Sequence, residues 1–241
     1  MPTFSLIILC RNEIEGLKTV LPRIRKEWVE EIILVDGNST DGSRQYAESL
    51  GIRVLRQKNF KPLRKVRGPF PEHSSGAVEG LREGFEAARG DYVLTFSADN
   101  NCIPELIPVL RDKIKQGHDM VIVSRYKDGA RSQDDSVVTG FGNWMITRLV
   151  NVLYGTHYTD VMSIFRGYRR NLIQELEIDM KLSLHTQLAI RCKKYNKSVA
   201  EIPGDERPRI GGGSVRNNFK NGLVELFTIF EELVSTPKSK P

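Results

Sequence analysis

Cysteine is scarce: the 241-residue chain holds three, Cys10, Cys102 and Cys192. So widely spaced, they match neither a disulfide framework nor the close pairs of a metal site, and they suit a reducing compartment. The sequence also has no run of about 18 apolar residues, which argues against a membrane-spanning helix. No basic stretch followed by a long apolar one opens the chain, so no secretory leader is expected. There is no internal repeat and no linker long enough to force a division into domains. Hydrophobic residues make up 39% and charged residues 27%, ordinary proportions that exclude global disorder. A formal net charge of +6 adds some pull toward anionic partners. The expectation is a cytosolic, modestly basic globular protein.

The first half alternates short apolar runs with helical patterns. Strands are predicted over 4–10, 31–36, 52–55, 91–96 and 120–123. Helices are predicted over 13–28, 40–50, 76–88 and 104–116, with Pro22 set to kink the first. Strands separated by helices of this length imply βαβ units and a mostly parallel, Rossmann-like sheet flanked by helices. The second half is less regular. Helices are predicted over 137–154, 182–195 and 219–234, short strands over 164–168 and 198–202, and a loose tail over 235–241.

Sheets of this kind bind ligands beyond the carboxyl ends of their strands. The chemically interesting residues fall there. Arg11, Asn12 and Glu13 follow the first strand, and Asp36 to Asp41 the second. Ser97 to Asn101 follow the fourth, and Ser124 and Arg125 the fifth. The segment from Asp36 to Ser43 can present a carboxylate to a ribose or base, or serve as a turn with Ser39 or Thr40 as helix cap. Asp99, flanked by side-chain amides, offers hard oxygen ligands to Mg2+ or Mn2+, and equally suits an Asx turn. Arg125, Arg166, Arg169, Arg207, Arg209 and Arg216, with the glycines at 211–213 and Ser214, can recognise phosphate or form a solvated, flexible surface. From Arg56 to Arg67 basic residues recur without an acidic one. That stretch reads as a solvated loop or a patch for anionic lipid. Nucleic acid is not expected as a partner, because no recognition fold accompanies the charge.

Taken together, these sites resemble the family 2 glycosyltransferases with the GT-A fold, and within them the dolichyl- and polyprenyl-phosphate sugar transferases. Four stretches carry the likeness in order: SLIILCRNEIEGL, EIILVDGNSTDGS, GAVEGLREGFEAARGDYVLTFSADNN, and DVMSIFRGYRR followed by EIPGDERPRIGGGS. They span nearly the whole chain. The resemblance implies a single GT-A domain over 1–234, with a nucleotide-binding half to about 125 and an acceptor half beyond it.

The resemblance also implies roles. Arg11, Asn12, Glu13, Asp36, Asn38, Ser39, Asp41, Gly76 and Ala98 would serve the nucleotide. Asp99 and Asn101 would hold Mg2+ or Mn2+ on the donor diphosphate. Asp99, Arg125, Asp160, Arg207 and Arg209 would form the catalytic set. Arg166, Arg209, Gly213, Ser214 and Arg216 would meet an acceptor phosphate.

Three positions depart from the pattern. Ser97 replaces the first carboxylate of the usual DxD, Ser75 replaces a basic residue, and Arg216 stands nearest to a displaced lysine. A nucleotide-diphosphate sugar is the implied donor, and a lipid phosphate or a glycan hydroxyl the acceptor. A lipid phosphate is already an anion and needs no general base, whereas a hydroxyl would need one, with Asp160 or Asp135 as candidates. The apolar faces of the 137–154 and 219–234 helices could lie on a bilayer or in the core. The third alternative is a nucleotide-sugar-binding protein inactivated by Ser97. A nucleotidyltransferase is disfavoured, because no GxGxR follows the first strand.

Overall fold

The apolar runs form strands because both of their faces are covered. In the computed structural model, which describes residues 2–58, 76–178, 183–211 and 218–235, seven strands make one sheet. They are β1 (Phe4–Cys10), β2 (Glu31–Asp36), β3 (Arg53–Arg56), β4 (Tyr92–Ser97), β5 (Met120–Ser124), β6 (Arg166–Arg169) and β7 (Val199–Pro203). Their order is β3-β2-β1-β4-β6-β5-β7. All pairings are parallel except those of β6, which runs antiparallel between β4 and β5. The register of β1 against β2 brings Cys10 level with Asp36, so the loops that follow both strands emerge together.

Alternate residues of each central strand feed opposite layers, which is why the strands are apolar throughout. Leu6, Ile8, Leu34 and Phe96 pack against α1 (Ile14–Val20), α2 (Ser43–Ser49) and α4 (Ile107–Ile114). Ile7, Ile33, Val35 and Val93 meet α3 (Gly76–Ala87) and α7 (Leu184–Lys194) on the other face. A third cluster ties α7 to α5 (Val137–Tyr154) and α8 (Asn218–Val234) through Ile146, Val150, Ile190 and Ile229. No helix among the described residues is long and apolar enough to cross a membrane.

Local chemistry explains where the elements depart from expectation. The first helix ends at Val20. Leu21–Arg23, with Pro22 near its start, and Lys26–Trp28 form separate 3-10 turns. Pro104–Leu106 is likewise a 3-10 turn leading into α4. Neither Ser39 nor Thr40 caps α2; its N-cap is Gly42, at φ +93°. Both residues are instead tied to the neighbouring loop. A four-residue helix, α6 (Leu172–Glu175), was not anticipated. Most of the basic Arg56–Arg67 stretch, and the tail beyond Ser235, lie outside the described residues.

Candidate active site

Three strand-end loops converge beyond β1, β2 and β4, and each contains an asparagine in the left-handed region: Asn12 (φ +54°), Asn38 (φ +61°) and Asn100 (φ +75°). Asparagine tolerates this backbone better than most residues, and such conformations gather at functional sites. The first two loops are stitched together. Asn12 N donates to Ser39 Oγ (3.0 Å), Thr40 N to Asn12 Oδ1 (2.8 Å), and Glu13 N to Ser43 Oγ (3.0 Å). Asp36, almost fully buried, accepts Ser39 N at 3.1 Å. Asp41 accepts Ile14 N (3.0 Å), Ser43 N (2.9 Å) and Ser43 Oγ (2.6 Å). Burial pushes the Asp41 carboxyl up, but these donors outweigh it and leave the group below its ordinary value. Gly76 opens α3, and its carbonyl accepts Gln57 Nε2 (2.7 Å), while Arg11 lies exposed at the rim.

The third loop meets a strap formed by residues 205–211. Arg207 N donates to Asn101 O (3.0 Å), Ile210 N to Asp99 O (2.9 Å), Asn100 Nδ2 to Pro208 O (3.0 Å), and Asn101 Nδ2 to Arg207 O (2.7 Å). The strap carries Arg209 onto two acids from distant parts of the chain. Its Nη1 lies 3.0 Å from Asp99 Oδ2, and its Nη2 donates to Glu13 Oε1. The other Asp99 oxygen accepts Ser97 Oγ (2.5 Å) and Asn101 N (3.2 Å). Ala98 is buried, and α1 presses on it at Gly16: a Cβ there would stand 2.2 Å from Ala98 O.

A second constellation surrounds Arg125, which follows β5. Its Nε and Nη2 donate to Asp160 (2.7 and 3.0 Å), and its Nη1 reaches Glu206 (3.3 Å) and, at 4.0 Å, Asp135. Asp160 is fully buried and also accepts Asn143 Nδ2, Met162 N and Ser163 N. Burial raises the Asp160 carboxyl, but Arg125 and these donors more than reverse that. The Arg125 guanidinium is loosened by burial but held by Asp160 and Glu206, so it stays well above its ordinary value. Glu206 sits in the opposite balance: burial lifts its carboxyl further than Arg125 and Ser132 lower it, leaving it raised.

Two expectations need correction. Asp160 cannot serve as a general base in this arrangement, because its oxygens are buried and committed to Arg125 and to three other donors. Arg166 cannot reach an acceptor. It is fully buried, and its guanidinium donates to the carbonyls of Ser163 (2.7 Å), Val161 (2.6 Å) and His185 (3.0 Å). It caps a buried turn instead of meeting solvent. Arg169 is similarly spent on Asp119 and Glu175. Gly213, Ser214 and Arg216 lie outside the described residues. The sequence reading did not single out Gly16, Asn143, Glu201 or Glu206. Glu201 accepts Thr159 N (2.9 Å) and Asp160 N (3.2 Å). Both it and Glu206 lie in the EIPGDERPRIGGGS stretch, where no spacing rule distinguishes them from their neighbours.

Among the described residues no three His, Cys, Asp or Glu side chains cluster as a ready metal cage. The fit for Mg2+ or Mn2+ rests on fewer groups. Asp99 Oδ2 already faces a cation, and Glu13 Oε2 is buried without a hydrogen-bond partner among the described residues. These acids suit a divalent ion that takes its other ligands from substrate phosphates and water. Asn101 gives its amide nitrogen to the strap, and the atom a metal would take is its Oδ1.

The chain is similar to proteins that include two sugar transferases of different organisms. It is 27% identical over 242 residues to an undecaprenyl-phosphate 4-deoxy-4-formamido-L-arabinose transferase of Aeromonas hydrophila, covering 98% of this chain and 68% of that one. It is 28% identical over 202 residues to a dolichyl-phosphate hexose transferase of Haloferax volcanii, covering 83% and 81% respectively. In fold it resembles glucosyl-3-phosphoglycerate synthase of Mycobacterium tuberculosis, crystallised with Mn2+, UDP and phosphoglyceric acid. That match has a TM-score of 0.68 at 18% identity and covers 99% of this chain and 80% of that one. The glycosyl transferase family 2 model matches residues 5–177, well over half the chain, through β1 and the strand-end loops to β6. The chain is therefore a glycosyltransferase and belongs to family 2.

Proposed function

We propose that the protein transfers a hexose from a GDP- or UDP-linked sugar to a polyprenyl or dolichyl phosphate, with inversion and with Mg2+ or Mn2+. The observation that carries this reading is the meeting of Glu13, Asp99 and Arg209 where the strand-end loops converge. The stitched loops bearing Asn12, Asp36, Asn38 and Asp41 would seat the nucleoside. Arg209 and Arg207 would meet the diphosphate, with Arg11 at the rim. A bound divalent ion supplies Lewis-acid stabilisation of the departing nucleotide diphosphate. The arginines add preorganised positive charge where negative charge develops. Arg125, held by Asp160 and Glu206, would orient the acceptor side, and Ser214 and Arg216 are further candidates for the acceptor phosphate.

Several features favour a lipid phosphate over a hydroxyl acceptor. The acceptor anion attacks without a base, consistent with the full commitment of Asp160. The two relatives named above carry lipid-phosphate names. α5 leaves Val137 (90%), Phe141 (61%) and Trp144 (61%) exposed, with the last two rings stacked at 5.6 Å. Beside this face a hollow of about 380 Å³ is lined by Tyr126, Trp144, Arg148 and Tyr158. Such a surface suits peripheral contact at the cytoplasmic face of a membrane.

The test is a panel of nucleotide sugars read by thermal shift with and without Mn2+, followed by product analysis with a short-chain polyprenyl phosphate. Metal-dependent stabilisation by one donor and product formation are expected. If no donor stabilises the fold, the reading fails. If product forms on a sugar hydroxyl but not on the lipid phosphate, the soluble-acceptor alternative replaces it. Donor turnover lost in Asp99→Ala excludes an inactive binding protein, and liposome sedimentation checks the membrane contact.

A further inference from the structure

Asp99 is a carboxylate with one side already filled. Oδ1 accepts Ser97 Oγ and Asn101 N, which leaves Oδ2 as the oxygen open to a cation, and Arg209 Nη1 stands there at 3.0 Å. The same guanidinium also holds Glu13, whose other carboxylate oxygen is buried without a partner among the described residues. The strap backbone is fixed on both sides of this contact, by Arg209 N to Asp134 Oδ1 (3.1 Å) and Ile210 N to Asp99 O (2.9 Å). Releasing Asp99 would require only the Arg209 side chain to move, with the strap backbone held in place.

We propose that Arg209 is an internal counter-cation that keeps the Glu13–Asp99 pair closed to metal until a donor diphosphate arrives. A guanidinium and a divalent ion cannot share Asp99 Oδ2, because like charges at contact distance repel strongly in a partly buried site. A diphosphate removes the conflict, since it gives the guanidinium a bidentate anionic partner while bringing oxygens for the metal. Metal and nucleotide then bind as a coupled pair, and metal alone binds weakly. The inference rests on the metal-dependent donor site proposed above and adds to it an order of events and a displaced residue.

Mn2+ binding, measured by electron paramagnetic resonance or calorimetry on the purified chain with and without UDP or GDP, tests it. In the wild type, the nucleotide should tighten Mn2+ by about 10-fold or more, and Mn2+ should tighten the nucleotide by the same factor, because coupling free energies are reciprocal. Arg209→Gln should bind Mn2+ alone about 10-fold more tightly than the wild type and lose most of the coupling. Arg209→Met, which keeps the aliphatic stem, replaces it if the glutamine variant lacks a cooperative thermal transition. Arg207→Gln removes the same charge from the same strap without touching Asp99 and should change the affinity for Mn2+ alone, measured without nucleotide, by less than about 3-fold. Asp99→Asn should abolish binding in every background. Equal Mn2+ affinity in the wild type and both Arg209 variants, with nucleotide-dependent binding intact, overturns the counter-cation alone. No Mn2+ binding under any condition overturns it together with the metal-dependent donor reading.

Discussion

Gly16 offers the sharpest check on how the fold holds its candidate metal loop. It lies in α1, and a Cβ built on it would meet Ala98 O at 2.2 Å, Asp99 Cα at 3.0 Å and Ala98 C at 3.1 Å. Real Cβ atoms essentially never approach closer than 3.0 Å, so in Gly16→Ala the helix or the 98–99 backbone must yield by about 0.8 Å. Both partners are main chain, so no side-chain rotation can relieve the contact. Overpacking of this kind costs about 1–3 kcal/mol. Helix propensity works the other way, since Gly→Ala inside a helix gains roughly 1 kcal/mol. Gly142, in α5 with nothing within 4 Å of its built Cβ, receives the propensity gain alone. The difference between Gly16→Ala and Gly142→Ala therefore isolates the clash. For a chain of this size it should separate their melting temperatures by roughly 2–12 °C. Displacing Asp99 by nearly an ångström should also lower donor turnover by about 10- to 100-fold in Gly16→Ala and leave Gly142→Ala unchanged. Equal melting temperatures and equal turnover would refute the claim that α1 sets the position of the Ala98–Asp99 backbone.

Three further outcomes follow from the buried and titratable groups. Asp160→Ala leaves the Arg125 guanidinium short of its main partner in a buried site and should destabilise the fold by about 3–5 kcal/mol in urea titration; a loss below 1 kcal/mol would remove its positioning role. Glu175 is held at about 2, first by its hydrogen bond from Arg169 and then by that from Lys197. Its folded value lies below its unfolded one, so its contribution is present above about pH 4.5 and is lost as pH falls toward 2; Glu175→Gln should flatten that acid limb of the stability curve. All three thiols are buried, and burial pushes Cys10 and Cys192 up to about 12 and Cys102 higher still. A thiol reagent at pH 8 should therefore label none in the native protein and three after unfolding, and rapid native labelling would contradict this packing.

Periodicity in the sequence determined most of the element list and the parallel half of the sheet. A short apolar run such as Ile32 to Val35, set between helical patterns, reads as a strand covered on both faces, and the interleaved helices supply that cover. It also marked the strand ends as the place to look, because Asp36, Asp99 and Arg125 follow apolar runs directly. What it could not determine were the features set by residues far apart in the chain. The antiparallel insertion of β6 joins distant segments, setting Gly167 opposite both Leu94 and Val121. Whether an arginine is a ligand or a structural cap is likewise decided by what surrounds it: Arg166 and Arg209 look alike in the sequence. The fold buries the first among carbonyls and leaves the second where two acids, Glu13 and Asp99, arrive from separate loops. A guanidinium takes its role from the nearest negative charge, and only the tertiary structure sets that distance.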